Sequence, residues 1–332
     1  MAGKSGSASA LFLVDGYNFL AAKIQTLRLK ISSLFQETDG LGDGNFINTP
    51  VGKQRATIVQ EGGLFDTATA SSHDAMATKL GTTPGATPRV MIVGIMGNTV
   101  GAVMYGIAGA FSVAYDAALN LGKLTQANAE HLMQGLVEIG LIVQPLATKT
   151  ADWNTKSLGT VVDFATDPSQ YAIPITSATK ANPCVVTTAV PHGLTTGQVI
   201  LASGNSLAGP SINTELTVTV LSTTTFSVAV NTTGSSGAGT GGSFLRCSTV
   251  NGGAAYQQVG AFSGFTGYVG KIRHSADDTT YADLATFANV TTARTAERKA
   301  VSAGTTVNRY LCHDGDVTGS GSLDVCSGFA RL

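Results

Sequence analysis

Charge is what this chain has least of. Asp, Glu, Lys and Arg make up 12% of its 332 residues, about half the share usual in a soluble globular protein. A surface so poor in charge is hard to keep soluble as a free monomer, and its neutral area is expected to be buried against neighbouring copies. Neither sign dominates: 20 Lys and Arg against 21 Asp and Glu give a formal net charge of −1. A protein that grips nucleic acid carries a basic excess or a Lys/Arg cluster. The densest basic run, Arg294 to Lys299, is broken by Glu297. Stable DNA binding is therefore not expected, whereas transient, non-specific passage of DNA is compatible with this balance. Aromatics are also scarce, 7% with Trp153 as the one tryptophan, which disfavours a carbohydrate-binding module built on exposed rings.

Chemistry-bearing motifs are absent in the same way. The five histidines, His73, His131, His192, His274 and His313, have no carboxylate or cysteine at ligand spacing, and neither HExxH nor GxSxG occurs. His192, within Pro191-His192-Gly193, reads as a turn residue. Gly267-Tyr268-Val269-Gly270-Lys271 has the glycines and lysine of a phosphate loop, but Ile272 stands where Ser or Thr would hold magnesium. Asp314 to Ser322 spaces its oxygens like a calcium loop, yet Val325 occupies the position of the bidentate Glu. A polar β-turn is the expectation there. No catalytic, cofactor-binding or metal-binding residue is assigned, and the chain is expected not to be an enzyme.

The four cysteines, Cys184, Cys247, Cys312 and Cys326, lack the close pairs of a zinc site. They are buried thiols or form one or two disulfides. Cys312 and Cys326 flank an expected hairpin turning near Gly319, and Cys184 and Cys247 bracket the central segment.

The first ten residues lack the layout of a signal peptide. Val90 to Phe111 is free of charge and long enough to span a bilayer. Gly94, Gly97, Gly101, Gly106 and Gly109 interrupt it, and Gly97-Asn98 is a turn signal between two apolar runs. It is expected to form two buried strands, leaving no membrane segment.

Period-two alternation points to β-structure through most of the chain. Leu27, Leu29 and Ile31 alternate with polar residues, and Arg55 to Gln60 is strand-like. Gly40, Gly42, Gly44 and Pro50 mark a loop between them. Ser71 to Leu80 is expected as a short helix. A second helix is expected over Gln126 to Ile139, capped by Thr125, with Leu132, Leu136 and Ile139 on one face and Gly140 as its stop. Between Pro174 and Leu245 the charged residues are Lys180 and Glu215. There Leu216, Val218 and Val220, then Phe226, Val228 and Val230 after a Ser222–Thr225 turn, alternate with polar residues. Late strands are expected at Tyr268 to His274, Thr305 to Cys312 and Ser322 to Phe329, the last two around a Gly315 to Gly321 loop. The fold class is mainly β, a sandwich or barrel with one or two short helices. A small all-β barrel at 174–245 is inserted into a discontinuous parent domain at 1–173 and 246–332.

Several short runs resemble phage tail-tube (major tail) proteins: Leu13-Val14-Asp15-Gly16-Tyr17-Asn18, Pro50-Val51-Gly52, and Glu61 to Asp66. Lys271 to Ser275, Tyr281 to Leu284, Gly319 to Ser322 and Gly328 to Arg331 continue the likeness. The central segment is similar to a small β-barrel of phage tail and fibre proteins, through Pro191 to Val199, Ile212-Asn213 and Thr225 to Val228. The resemblance implies a virion protein made in the bacterial host cytoplasm, whose copies form stacked six-fold rings around a channel for DNA. Its partners would be copies of itself and other tail proteins, with no membrane and no cofactor. A capsid decoration, baseplate or fibre protein is the alternative within the same class.

Overall fold

The computed structural model describes residues 10–18, 24, 26–37, 48–64, 76, 88–118, 125–133, 137–207 and 209–332. Its first strands are β1 (Leu11–Val14), β2 (Tyr17–Asn18), β3 (Thr26–Glu37), β4 (Asn48–Leu64) and β5 (Arg89–Gly94). Next come β6 (Val103–Ala118), β7 (Gln126–Met133), β8 (Val137–Lys149), β9 (Trp153–Asn154) and β10 (Val162–Asp163). Shorter strands follow: β11 (Ile173–Ala178), β12 (Cys184–Thr188), β13 (Val199–Ser203), β14 (Glu215–Val220), β15 (Thr225–Val228), β16 (Gly239–Thr240) and β17 (Ser243–Arg246). The chain ends with β18 (Gly253–Ser275), β19 (Ala282–Thr286), β20 (Thr295–Val301) and β21 (Tyr310–Arg331).

Strands β11 to β17 make a sheet of their own, and it closes. The order β11–β12–β15–β14–β13–β17 returns to β11, with β16 added on β11. Closure depends on β11 splitting its pairing: Ile173 and Pro174 face β17, whereas Ile175 to Ala178 face β12. A closed sheet leaves few unpaired edges. Leu216 and Val218 point inward with Val186, Ile200, Phe226 and Phe244, while Glu215, Thr217 and Thr219 face solvent. The alternation that marked this segment in the sequence is thus the inside and outside of a barrel.

The other strands form one sheet in the order β19–β18–β21–β8–β6–β5–β1–β2, with β9 and β10 on β21 and β20 on β18. A branch leaves β6 through β7 and β4 to β3. The middle of this sheet is covered on both faces. On β1, Leu11 and Leu13 enter a cluster with Met104 and Tyr256, and Phe12 and Val14 enter another with Ile58 and Met91. Burial of both faces is why β1 reads as an unbroken apolar run. Strands β5 and β6 share that core, and the turn between them falls at 95–102. Val90 to Phe111 is therefore two strands, as its glycines indicated. Among the described residues no helix is long and apolar enough to cross a membrane.

Three expectations are corrected. The helix over Gln126 to Ile139 is instead β7 and the start of β8. β7 is hydrogen-bonded to β4 and β6, and Ala129, His131 and Met133 are buried at period two. Two-sided pairing overrides the helical spacing of the leucines, and Ile139 ends up half exposed. Gly140 is no helix stop, because a Cβ there would lie 2.2 Å from the Phe329 carbonyl oxygen across the strands. The late hairpin is also absent: Tyr310 to Arg331 is a single strand, so the Asp314–Ser322 turn does not form. Finally, Pro50 lies inside β4 rather than in a loop. The Ser71–Leu80 helix falls outside the described residues apart from Met76, which is helical and fully buried. Elsewhere among the described residues, helical geometry is a 3-10 turn at Phe164–Thr166.

Candidate assembly edge and sealed polar core

A buried polar cluster lies where β8, β9, β18 and β21 meet. Trp153 lies flat over Gly315, where a Cβ would come within 2.4 Å of its ring. The indole stacks on Tyr268 and on His313, each at 5.5 Å between centroids, and its N–H donates to Gln144 Oε1 at 2.9 Å. His313 is held at both ring nitrogens, Nε2 3.0 Å from the Tyr268 hydroxyl and Nδ1 2.9 Å from Ser327 Oγ. Tyr268 donates its proton to Gln257 Oε1 at 3.1 Å. One assignment satisfies every group: Ser327 donates to Nδ1, Nε2–H donates to the Tyr268 oxygen, and the imidazole is neutral. Burial, reinforced by Lys149, lowers the His313 pKa to about 3, which agrees with a neutral ring.

Ser327, His313 and Tyr268 stand in the order of nucleophile, base and orienting group. None of the three is exposed to solvent, so a substrate has no route to the Ser327 hydroxyl. The cluster ties β8 and β9 to the paired strands β18 and β21. Sequence reading missed it because its members come from four strands and share no local spacing.

The runs that carried the tail-tube resemblance are structural. Asp15 and Gly16, at φ 48° and 81°, turn the chain between β1 and β2. Val90 N–H donates to Asp15 Oδ1 at 3.0 Å, and Arg89, 2% exposed, lies 3.6 Å from the same carboxylate. Gly16 N–H donates to Gln258 Oε1 at 2.6 Å, and Gln258 Nε2 reaches the Val90 carbonyl at 2.9 Å. A side chain at Gly16 would strike the Val259 carbonyl at 2.2 Å. This corner seats β1 on β18. Glu61 to Leu64 and Pro50 to Gly52 lie in β4, and Phe65-Asp66 lies outside the described residues. Lys271 bridges Asp316 and Asp283, and Arg273 bridges Asp283 and Asp314. The acids of the calcium-like run are thereby committed to cations.

In the barrel, His192 is buried at a corner. Its Nδ1 accepts from Leu194 N–H at 3.0 Å, and the ring meets Phe226 edge-on at 5.5 Å. His73 lies outside the described residues. His131 is buried against Ser112, and His274 accepts from Asn308 N–H.

All four cysteines are free and buried. Cys312 and Cys326 occupy one strand, on the order of 45 Å apart along it, too far for the bond that is one of the two readings of this pair. Burial pushes the Cys247 thiol up to about 11 and the Cys312 thiol up to about 12, and it raises Cys326 further. Such thiols are unreactive.

What remains open is an edge. Among the described residues, β3 pairs with β4 from Thr26↔Glu61 to Glu37↔Asn48 and with nothing on its other side. At 12 residues it is the longest strand there with one free side. Arg28 and Lys30 are exposed along it, and Ile31 is 43% exposed on the opposite face. An unpaired row of N–H and C=O groups is a template for another strand, and lysines on such an edge oppose indiscriminate pairing.

No protein-family profile and no curated protein matches the chain. Among solved structures, it is similar to a chain in the virion of a native gene transfer agent particle, with TM-score 0.29 and 13% identity over 41% of this chain and 98% of that one. A chain in the tail of an empty gene transfer agent particle with C6 symmetry gives TM-score 0.29 and 12% identity over 40% and 97%. The SPP1 Dit protein, described as a hub of the adsorption apparatus in phages infecting Gram-positive hosts, gives TM-score 0.28 and 6% identity over 97% and 99%. Likeness this faint defines neither a family nor a function.

Proposed function

We propose that this chain is a non-enzymatic structural subunit of a phage-type tail. Its copies join edge to edge into closed rings rather than isolated dimers, and the rings stack into a tube around DNA. The 12-residue edge of β3, which has no partner strand on its other side among the described residues, carries this reading. Head-to-tail pairing of this edge with a different edge of the next copy, such as β19 at the other end of the sheet, closes into rings, and stacked rings make a tube. The charge-poor composition supports it, because neutral surface is then buried between subunits. A net charge of −1 suits a bore through which phosphate-coated DNA passes without being held. The sealed Ser327–His313–Tyr268 cluster fits a chain whose polar core serves packing rather than turnover. The sequence resemblance to tail-tube proteins points the same way and adds the virion as its location, with other tail proteins as further partners.

Electron microscopy of the purified protein tests the proposal. Rings or tubes are expected from the wild type. Ile31→Lys adds a cation to the face of β3 that Arg28 and Lys30 leave uncharged, and it should abolish assembly while changing monomer stability by less than about 0.5 kcal/mol. Compact monomers from the wild type at every concentration, or rings that persist in Ile31→Lys, would overturn the edge mechanism.

A further inference from the structure

A recess of about 250 Å³ opens where the barrel meets the large sheet. Phe164, Asp167 and Gln170 line it from the connection into the barrel, Gln198 and Arg246 from the barrel itself, and Arg331 from the end of β21. The volume is that of a small-molecule site and far too small for a nucleic-acid duplex.

Its two arginines are incompletely paired. Arg331 is 12% exposed, with its guanidinium carbon 3.6 Å from the centre of the Phe164 ring. It donates to the Arg246 carbonyl through two long bonds of 3.3 and 3.4 Å. Arg246 donates through Nη2 to the His192 carbonyl at 2.6 Å, while its buried Nε has no acceptor in the protein. Two guanidiniums share the recess with the Asp167 carboxylate, 3.8 Å from Arg331, and with Leu332, whose terminal oxygen accepts from Thr249 Oγ1 at 3.1 Å and makes paired contact with neither arginine side chain. The nearby acids Asp163 and Glu215 are both engaged by Arg309. A buried guanidinium N–H without an acceptor is costly and is relieved by an anion. Burial lowers the Arg331 pKa to about 10, with Asp167 opposing and Arg246 adding to the shift.

We infer that this recess binds one small oxyanion, a phosphate or carboxylate group, between Arg246 and Arg331. A planar guanidinium matches such a group through paired N–H bonds. Gln170 and Gln198 provide neutral amides beside it. The site lies where the chain enters and leaves the barrel, so an anion there would tie the barrel to the sheet alongside the Arg309 ion pairs.

Calorimetric titration of the full chain with inorganic phosphate, and separately with citrate, at fixed ionic strength in chloride, tests this. Saturable binding of either at one site per chain is expected, and which of the two binds tells phosphate from carboxylate recognition. Arg246→Gln should weaken binding about ten-fold or more. Because Arg246 also holds the His192 carbonyl, a second variant guards against misfolding: Asn251→Trp, an exposed position on the lip of the recess, fills the opening and leaves both arginines in place. It should abolish binding with the circular dichroism unchanged. Arg55→Gln, exposed on β4, should have no effect. The inference is overturned if neither anion saturates the wild type below about 10 mM, or if a folded Asn251→Trp binds as the wild type does.

Discussion

Mild acid should unfold the large sheet, and two histidines set the size of the effect. His131 and His313 are fully buried, and burial lowers each to about 3 from an ordinary value of 6.5, helped by Arg89 and Lys149 respectively. In the unfolded chain both bind a proton near pH 6.5, whereas in the folded chain neither does until about pH 3. Below 6.5 the unfolded state therefore holds more protons, and stability falls as pH falls through that window. Each histidine removes about 1.4 kcal/mol per pH unit. Between about pH 6.5 and 4.5 that is about 2.7 kcal/mol each and about 5 kcal/mol for the pair, comparable with the whole stability of a marginal domain. His274, also lowered by burial, adds in the same direction. Carboxylates titrate mostly below this range.

Urea unfolding followed by the fluorescence of Trp153 reads the effect where it arises, since the indole stacks on His313. The urea midpoint should drop steeply from about pH 6.5 to 4.5, and His313→Gln should remove about half of that slope. The variant is less stable than the wild type at neutral pH, because an amide replaces a ring held at both nitrogens. A midpoint flat across the window would refute the reasoning. So would a His313→Gln slope equal to that of the wild type.

Gly321→Ala should cost about 2–4 kcal/mol by urea unfolding, because its Cβ would lie 2.0 Å from the Ser263 carbonyl oxygen. Gly304→Ala, at φ +91° with open space around it, should cost no more than about 1–2 kcal/mol. Arg309→Met breaks the paired contacts to Asp163 at 2.7 and 2.8 Å and the link to Glu215 of the barrel. It should lower stability by about 2 kcal/mol and speed proteolysis between Asp167 and Ile173; unchanged cleavage would show that the barrel is held by other contacts. None of the four thiols should react with a thiol reagent in the folded protein, and all four should react in urea. A reducing agent should leave the melting temperature unchanged.

Where one physical cause dominates, the sequence was readable. The barrel strands alternate because one side is core and the other solvent, and Leu216 to Val220 show it directly. Leu27 and Leu29 alternate on β3 for the same reason. The glycines within Val90 to Phe111 separated two strands from a membrane helix. The helical reading of Gln126 to Ile139 failed because leucine spacing over three turns is also compatible with two short strands, and the pairing of β7 on both edges is a long-range fact. His313 and Ser327 carry no local mark at all. Their meaning depends on partners 45 residues away at Tyr268 and farther still at Trp153.

Glycine was the most ambiguous signal. Gly315, Gly319 and Gly321 were read as a loop, yet all three lie within β21. Gly315 makes room for the Trp153 ring, as Gly106 does for Tyr256, whose ring would lie 2.4 Å from an added Cβ. Gly319, at φ +93°, lies opposite three register shifts of β18 between Val259 and Gly267. Bulges of this kind bend a strand and raise its twist. They matter because β18 and β21, 23 and 22 residues long, would otherwise form a flat ribbon about 75 Å in contour. About half of β21 is also paired with β8, β9 or β10 on its other side. The longest strands are thus bulged and partly flanked, while among the described residues β3 keeps one side free along its length. Among the described residues β3 is thus the longest strand with one side unpaired, and a long unpaired side is where another strand can add.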